Sequence, residues 1–267
     1  MRRDSLWGAA ELLNSLEGQT AVVFGVANKR SIAWAIAQRL QEAGAKLAIT
    51  YQNERLRREA EDMIHALPNA EGFQCDVSSD AEIEQLFATL KERYGKLDSV
   101  IHSVAYAPVE DLKGRFADTS REGFRIAHDV SCYSLIAIAR AAAPLMTEGG
   151  SIVTLTYYGS TRVVPHYNVM GVAKAALECS VRYLAYDLGV QNIRVNAISA
   201  GPIKTLAARG IGNFGEMLKE GAEKAPLKRN IDANEVAETA VFLCCDGARG
   251  ITGDTIFVDA GINIMAF

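Results

Sequence analysis

TAVVFGVANKRSIAWAIAQRLQEAG, residues 20–44, carries the pattern on which the fold turns. Thr20–Gly25 is a continuous apolar run ending in glycine, the form of a strand covered on both faces by other elements. Ser31–Ala43 then repeats apolar residues at helical spacing, with Ser31 placed to cap the first turn and Gly44 placed to stop the last. Strand, short turn and helix in this order open a βαβ unit.

Reading outward, the alternation continues. Strand patterns fall at Lys46–Tyr51, Gly72–Val77, Ser99–Val104, Ser151–Thr156, Ile193–Ala200 and Thr255–Asp259. Helical patterns fall between them at Asn53–Leu67, Asp80–Tyr94, Arg125–Met146, Tyr167–Leu188 and Asn234–Cys245. Such alternation predicts the α/β class: a single doubly wound Rossmann-type domain with a seven-stranded parallel sheet and helices on both faces. The domain is expected to span 16–267, after an N-terminal arm of 1–15 to which no chemistry is assigned.

Composition narrows the function. The 267 residues hold 28 Lys and Arg against 32 Asp and Glu, a net charge of −4, which argues against a dedicated nucleic-acid binder. Five cysteines without a CxxC pair fit free thiols in a reducing compartment, so a cytoplasmic location is expected. Arg2 and Arg3 lead into Asp4 rather than an apolar signal run, and the most apolar segment, Ser134–Met146, contains Arg140 and Pro144. Neither a signal nor membrane insertion is expected. His65, His102, His128 and His166 show no metal-ligand spacing, and His102 is expected to pack under the sheet.

Open α/β sheets bind ligands beyond the C-terminal ends of their strands. The first such turn offers Gly25 for close backbone approach and Ser31–Ile32 at a helix N-terminus, where free N–H groups attract phosphate. It is neither GxGxxG nor a Walker A loop, so a phosphate cradle and a plain tight turn fit equally. The second strand ends at neutral Gln52 and Asn53, where dinucleotide folds read the adenosine ribose. Arg55, Arg57 and Arg58 follow on the helix, and pairing with neighbouring acids is the favoured reading for them. Asp76, before Val77, can accept from an adenine amino group or cap the next turn. Tyr167 and Lys174 stand seven residues apart, which on one helix brings them within about 20° and about 10.5 Å of each other. Such a lysine can hold ribose hydroxyls and influence the phenol, while a packing tyrosine and a solvated lysine fit the same spacing.

These residues carry a resemblance. The chain is similar to the short-chain dehydrogenases and reductases, but none of its nine tyrosines has the lysine four residues on that most of that superfamily use. Tyr-x6-Lys with a second tyrosine ten residues earlier, Tyr157, instead resembles the bacterial enoyl-acyl-carrier-protein reductases of fatty-acid synthesis. The likeness runs from about Gly18 to Gly261 through TYQN at 50–53, CDV at 75–77, HSVAYAP at 102–108, YNVMGVAKAALE at 167–178 and RVNAISAGPIKTLAA at 194–208. Val104 and Tyr106 depart from the isoleucine and phenylalanine frequent in relatives.

The resemblance implies reduction of a trans-2-enoyl thioester by NADH, with NADPH less favoured. The implied catalytic residues are Tyr157, Tyr167 and Lys174: Tyr167 hydrogen bonds the enolate oxygen or passes on a proton, Lys174 holds the nicotinamide ribose, and Tyr157 lines the acyl site and shares the contact. Gly25, Ser31, Ile32, Gln52, Asp76, Val77, Val104, Ile203, Lys204, Thr205, Leu206 and Ala207 are the other expected cofactor residues, and Ala107 joins the two tyrosines at the substrate. The implied partners are acyl carrier protein and three further copies in a homotetramer. Six cations between 203 and 229 suit docking of an acidic carrier, and four glycines within 203–221 suit a lid. An ordinary ketone or alcohol dehydrogenase and a non-catalytic dinucleotide sensor are the competing readings.

Overall fold

The computed structural model describes residues 15–205 and 214–266. Seven strands, β1 (Thr20–Phe24), β2 (Lys46–Tyr51), β3 (Ala70–Gln74), β4 (Ser99–His102), β5 (Gly150–Thr156), β6 (Ile193–Ala200) and β7 (Thr255–Val258), form one sheet in the order 3-2-1-4-5-6-7. Every pairing is parallel. The order reverses between β1 and β4, which makes that seam the switch point of the doubly wound sheet.

Alternate residues of β1 explain why its run is apolar throughout. Ala21 and Val23 enter one core cluster, which includes α1 (Ile32–Glu42), part of α2 (Glu54–Ile64) and α8 (Ala233–Cys244). Val22 and Phe24 enter the other, which includes α3 (Asp80–Tyr94), α5 (Ser134–Ala142) and α6 (Val169–Gly189). A parallel strand between two helical layers has no solvent face on which to place polar side chains. Two further helices are α4 (Arg121–His128), between α3 and α5 in the chain, and α7 (Phe214–Lys224), between β6 and α8.

Three expected segments take a different form. The long helix expected at Arg125–Met146 starts earlier, on the cap Ser120, and is broken: α4 ends at His128, Asp129–Tyr133 is a π-turn, and a 3-10 turn, Ala143–Leu145, closes α5. Ser134 Oγ donates to the Val130 carbonyl at 2.7 Å, and buried Ser131 donates to the Tyr106 carbonyl at 3.0 Å. Serines that bond backbone in this way accommodate a widened turn. Tyr167 is not on α6, which begins two residues later, because His166 (φ 64°) and Asn168 (φ 40°) adopt positive φ on either side of it. The third difference is α7, whose first and last turns enclose Gly215 and Gly221 where a glycine-rich lid was expected. Residues 206–213 of that lid, and residues 1–14 of the arm, lie outside the described residues.

Candidate active site

A groove of about 1050 Å³ crosses the switch point along the C-terminal ends of β1, β2, β4 and β5. Its middle is set by Gly25. At φ 91° this residue ends β1 directly beneath the backbone of Ser103, and any β-carbon would collide with the Ser103 carbonyl. The close approach that requires glycine here is therefore between two strand ends of the protein itself. Ser31 next to it caps α1, accepting from Trp34 N at 3.2 Å and donating to the Asn28 carbonyl at 2.8 Å. That leaves the first turn of α1 facing the groove through Ser31 and Ile32.

One end of the groove is polar. Gln52 donates to Asp76 at 3.0 Å, and the other Asp76 oxygen accepts from Ser78 N at 2.9 Å and Ser78 Oγ at 2.7 Å. These bonds hold the Asp76 carboxyl below its ordinary range despite the opposing effect of burial. Asp76 thus caps the following turn and also borders the groove with Val77. Arg57 pairs with Glu61 at 2.6 Å and Glu54 at 3.4 Å, as expected for the cluster. Arg55 departs from that expectation and lines the groove, because it projects from the first turn of α2 towards the β2 end.

The other end is aromatic. Tyr157 follows β5 directly, and its ring meets Tyr167 edge-on with centroids 5.0 Å apart. Gly159 leaves room for this pair, since a β-carbon there would stand 2.7 Å from the Tyr167 ring. Burial pushes both phenols above their ordinary range, so both keep their protons at neutral pH. Lys174 comes from the second turn of α6, is 4% exposed, and donates to the Leu155 carbonyl at 2.7 Å. Desolvation lowers its ammonium to about 8. The seven-residue spacing brings tyrosine and lysine to one groove, but not by the helical projection expected. Tyr167 reaches the site from the turn before α6, where Asn168 tolerates the left-handed region.

Gly25, Ser31, Ile32, Gln52, Asp76, Val77, Val104, Tyr157, Tyr167, Lys174 and Thr205 all line this groove. Ala107 does not: it packs in a small cluster with Ala127, Val169 and Met170, against Tyr167. Ile203 packs against the core and Lys204 is exposed, so neither lines the groove. Leu206 and Ala207 lie outside the described residues. His102 is buried between Thr154 Oγ1 and Ser134 Oγ, each at 2.8 Å, and burial lowers it to about 3. It is a neutral bridge between sheet and α5. Wall residues missed from the sequence include Tyr51, Ser103, Arg125, Ile126 and Val130. The last three come from α4 and the π-turn, inside the segment read as one long helix, where periodicity alone does not show which face meets the groove.

A switch-point groove with a helix start at its middle and two half-buried tyrosines beside a buried lysine at one end defines a dinucleotide-binding reductase. Comparison with known proteins narrows this class. The family model for enoyl-(acyl carrier protein) reductase matches residues 25–263, and the chain belongs to that family. It is 54% identical over 254 residues to enoyl-acyl-carrier-protein reductase (NADH) FabI of Bacillus subtilis, covering 94% of this chain and 98% of the relative. It is 53% identical over 253 residues to the NADPH-named FabI of Staphylococcus aureus, covering 94% and 99%. Among solved structures, the Bacillus cereus enoyl-acyl carrier protein reductase with NADP+ and indole naphthyridinone matches with a TM-score of 0.93 and 54% identity, over 94% of this chain and 99% of that one.

Proposed function

We infer that the chain reduces trans-2-enoyl thioesters on acyl carrier protein to saturated acyl thioesters. The observation that carries this reading is the pair of half-buried tyrosines, in edge-on ring contact, that share one end of the groove with buried Lys174. A nicotinamide dinucleotide, when bound, supplies the hydride. Gln52 and Asp76 suit its adenosine end, the start of α1 its pyrophosphate, and Lys174 its nicotinamide ribose. The groove fits such a molecule in volume and polarity: Gln52, Asp76 and Arg55 at one end, the start of α1 in the middle, and a cation and phenols at the other.

Saturating C2–C3 places negative charge on the thioester oxygen, and a preorganised donor there lowers the barrier most. Tyr167 is held for that role by the Tyr157 ring, and its phenol, already protonated at neutral pH at its ordinary value, is pushed further up by desolvation. Tyr157 presents an apolar ring edge to the acyl chain. Crotonyl thioester should be reduced and acetoacetyl thioester left largely unreacted. Ready turnover of acetoacetyl thioester with none of crotonyl thioester would place the chain among the ketone reductases instead.

The carrier-docking expectation is narrowed by the structure. Lys224 pairs with Glu220, Arg229 with Glu235, and Lys228 donates to the Glu223 carbonyl. Lys204 and Lys219 make no ion pair with a described residue, so they are the cations offered to an acidic carrier. The preference for a carrier-linked over a coenzyme-A-linked substrate should accordingly shrink as salt rises.

We assign NADH as the preferred reductant. Gln52 is neutral and already bonded to Asp76, whose negative charge opposes a 2′-phosphate. Arg55 on the groove wall is the counterweight. kcat/KM should favour NADH by about tenfold, the scale of one charge-assisted hydrogen bond. Arg55→Ala should depress the NADPH value alone. Equal or better use of NADPH would show that Arg55 outweighs Asp76.

A homotetramer is proposed for this chain on the basis of one apolar stripe. Val172, Tyr183, Tyr186 and Val190 fall on one side of α6, and all are exposed in the single chain, Tyr186 at 83%. Patches of this kind mark association surfaces. Sedimentation should give the tetramer mass, and Tyr186→Glu should lower it; a monomer at micromolar concentration would refute the assignment.

A further inference from the structure

Lys174 is not the only side chain of α6 that grips the end of β5. One helical turn further on, Glu178 accepts a hydrogen bond from Thr156 Oγ1 at 2.7 Å. Leu155, whose carbonyl Lys174 holds, and Thr156 are consecutive, and the next residue is Tyr157. The strand end that presents Tyr157 is therefore pinned at two adjacent residues by two side chains spaced i, i+4. Thr156 is 4% exposed and pairs with Ser199 of β6, so its hydroxyl points into the layer between sheet and helix rather than to solvent.

The charges around this clamp are few. Lys174 is faced by the Cys132 thiol of the π-turn, by His102 of β4, by the Tyr167 phenol and by Glu178. Burial raises Cys132 above its ordinary range and keeps His102 neutral, so neither carries charge at physiological pH. Glu178 is the one carboxylate in the set, and its field favours both the charged ammonium of Lys174 and the protonated phenol of Tyr167. A buried cation needs such a partner, because desolvation alone would neutralise it.

We propose that Glu178 is a positioning residue for enoyl reduction: through Thr156 it fixes the strand end that carries Tyr157, and from one helical turn beyond Lys174 it sets a carboxylate against that buried ammonium in the dinucleotide site. This rests on the reductase reading above. It separates into a bond and a charge, which two substitutions remove one at a time. Glu178→Gln keeps an acceptor for Thr156 and removes the charge. Thr156→Val keeps the shape and the charge and removes the bond.

The test measures NADH affinity by fluorescence titration from pH 6.5 to 9.5, together with kcat for crotonyl thioester. In the wild type, affinity should fall as pH rises through the Lys174 transition. Glu178→Gln should move that fall to lower pH by at least about half a unit, since lost attraction makes the ammonium easier to deprotonate. Thr156→Val should leave the fall in place and lower kcat about tenfold, and Thr156→Ser should restore it. Should Glu178→Gln not fold, Glu178→Asp serves: it keeps the charge, so its affinity profile should match the wild type while kcat drops. An unmoved profile in Glu178→Gln, or a shifted one in Glu178→Asp, overturns the charge role; an unchanged kcat in Thr156→Val overturns the clamp. Wild-type protein that binds NADH yet leaves crotonyl thioester unreduced sinks the reductase reading, while the affinity profiles still decide the charge role of Glu178.

Discussion

Tyr167→Phe should lower kcat for crotonyl thioester by about a hundredfold to a thousandfold, the range for removing one donor from a developing oxyanion. Shape is almost unchanged by the substitution. The ring would still meet Tyr157 edge-on at its present 5.0 Å and still cover Gly159. KM for NADH should stay within about twofold, because the phenol hydroxyl is assigned to the thioester oxygen and not to the dinucleotide. The same logic makes Tyr157→Phe milder. Tyr157 supplies a wall through its ring, and its assigned role needs no proton. A Tyr167→Phe enzyme with near-normal kcat would transfer the donor role to Tyr157, since these two half-buried tyrosines share the end of the groove.

The sequence reveals the parts of this molecule whose physics is local. Strands β2 and β6 and helix α3 have the bounds expected, because continuous apolar runs and caps such as Ser79 depend only on near neighbours. The cap at Ser31 and the groove-lining strand tip at Gln52 are legible for the same reason. Features that depend on distant partners are not. The π-turn at Asp129–Tyr133 exists because Ser131 bonds the backbone of Tyr106, 25 residues away in the chain. Gly25 looks like a ligand-approach glycine, yet its first collision would be with Ser103. Tyr167 was assigned to a helix on spacing alone, and two left-handed residues, His166 and Asn168, remove it. Both carry a weak sequence signal for that, since histidine and asparagine adopt positive φ more readily than most residues.

Lys174→Ala should raise KM for NADH by roughly a hundredfold and change kcat less. The expectation combines two losses: a charge-assisted bond to the ribose, and the ammonium that pins the Leu155 carbonyl at 2.7 Å. Lys174→Met retains more of the buried stem and so separates packing from charge; it should restore thermal stability relative to alanine without restoring affinity. The wild-type pH dependence follows from the same group. Burial lowers the ammonium from 10.5 to about 8, so the cation is present below that pH and lost above it, and kcat/KM for NADH should decline across pH 8. Stability moves the other way. Between about 8 and 10.5 the unfolded chain holds a proton that the folded chain has released, and stability therefore rises with pH through that window as far as this group is concerned. Lys174→Met should abolish both trends together. An enzyme whose NADH affinity still declines across pH 8 after that substitution would show that a different group titrates there, and Lys174 would then be a structural strut under β5 and not the ribose-binding cation.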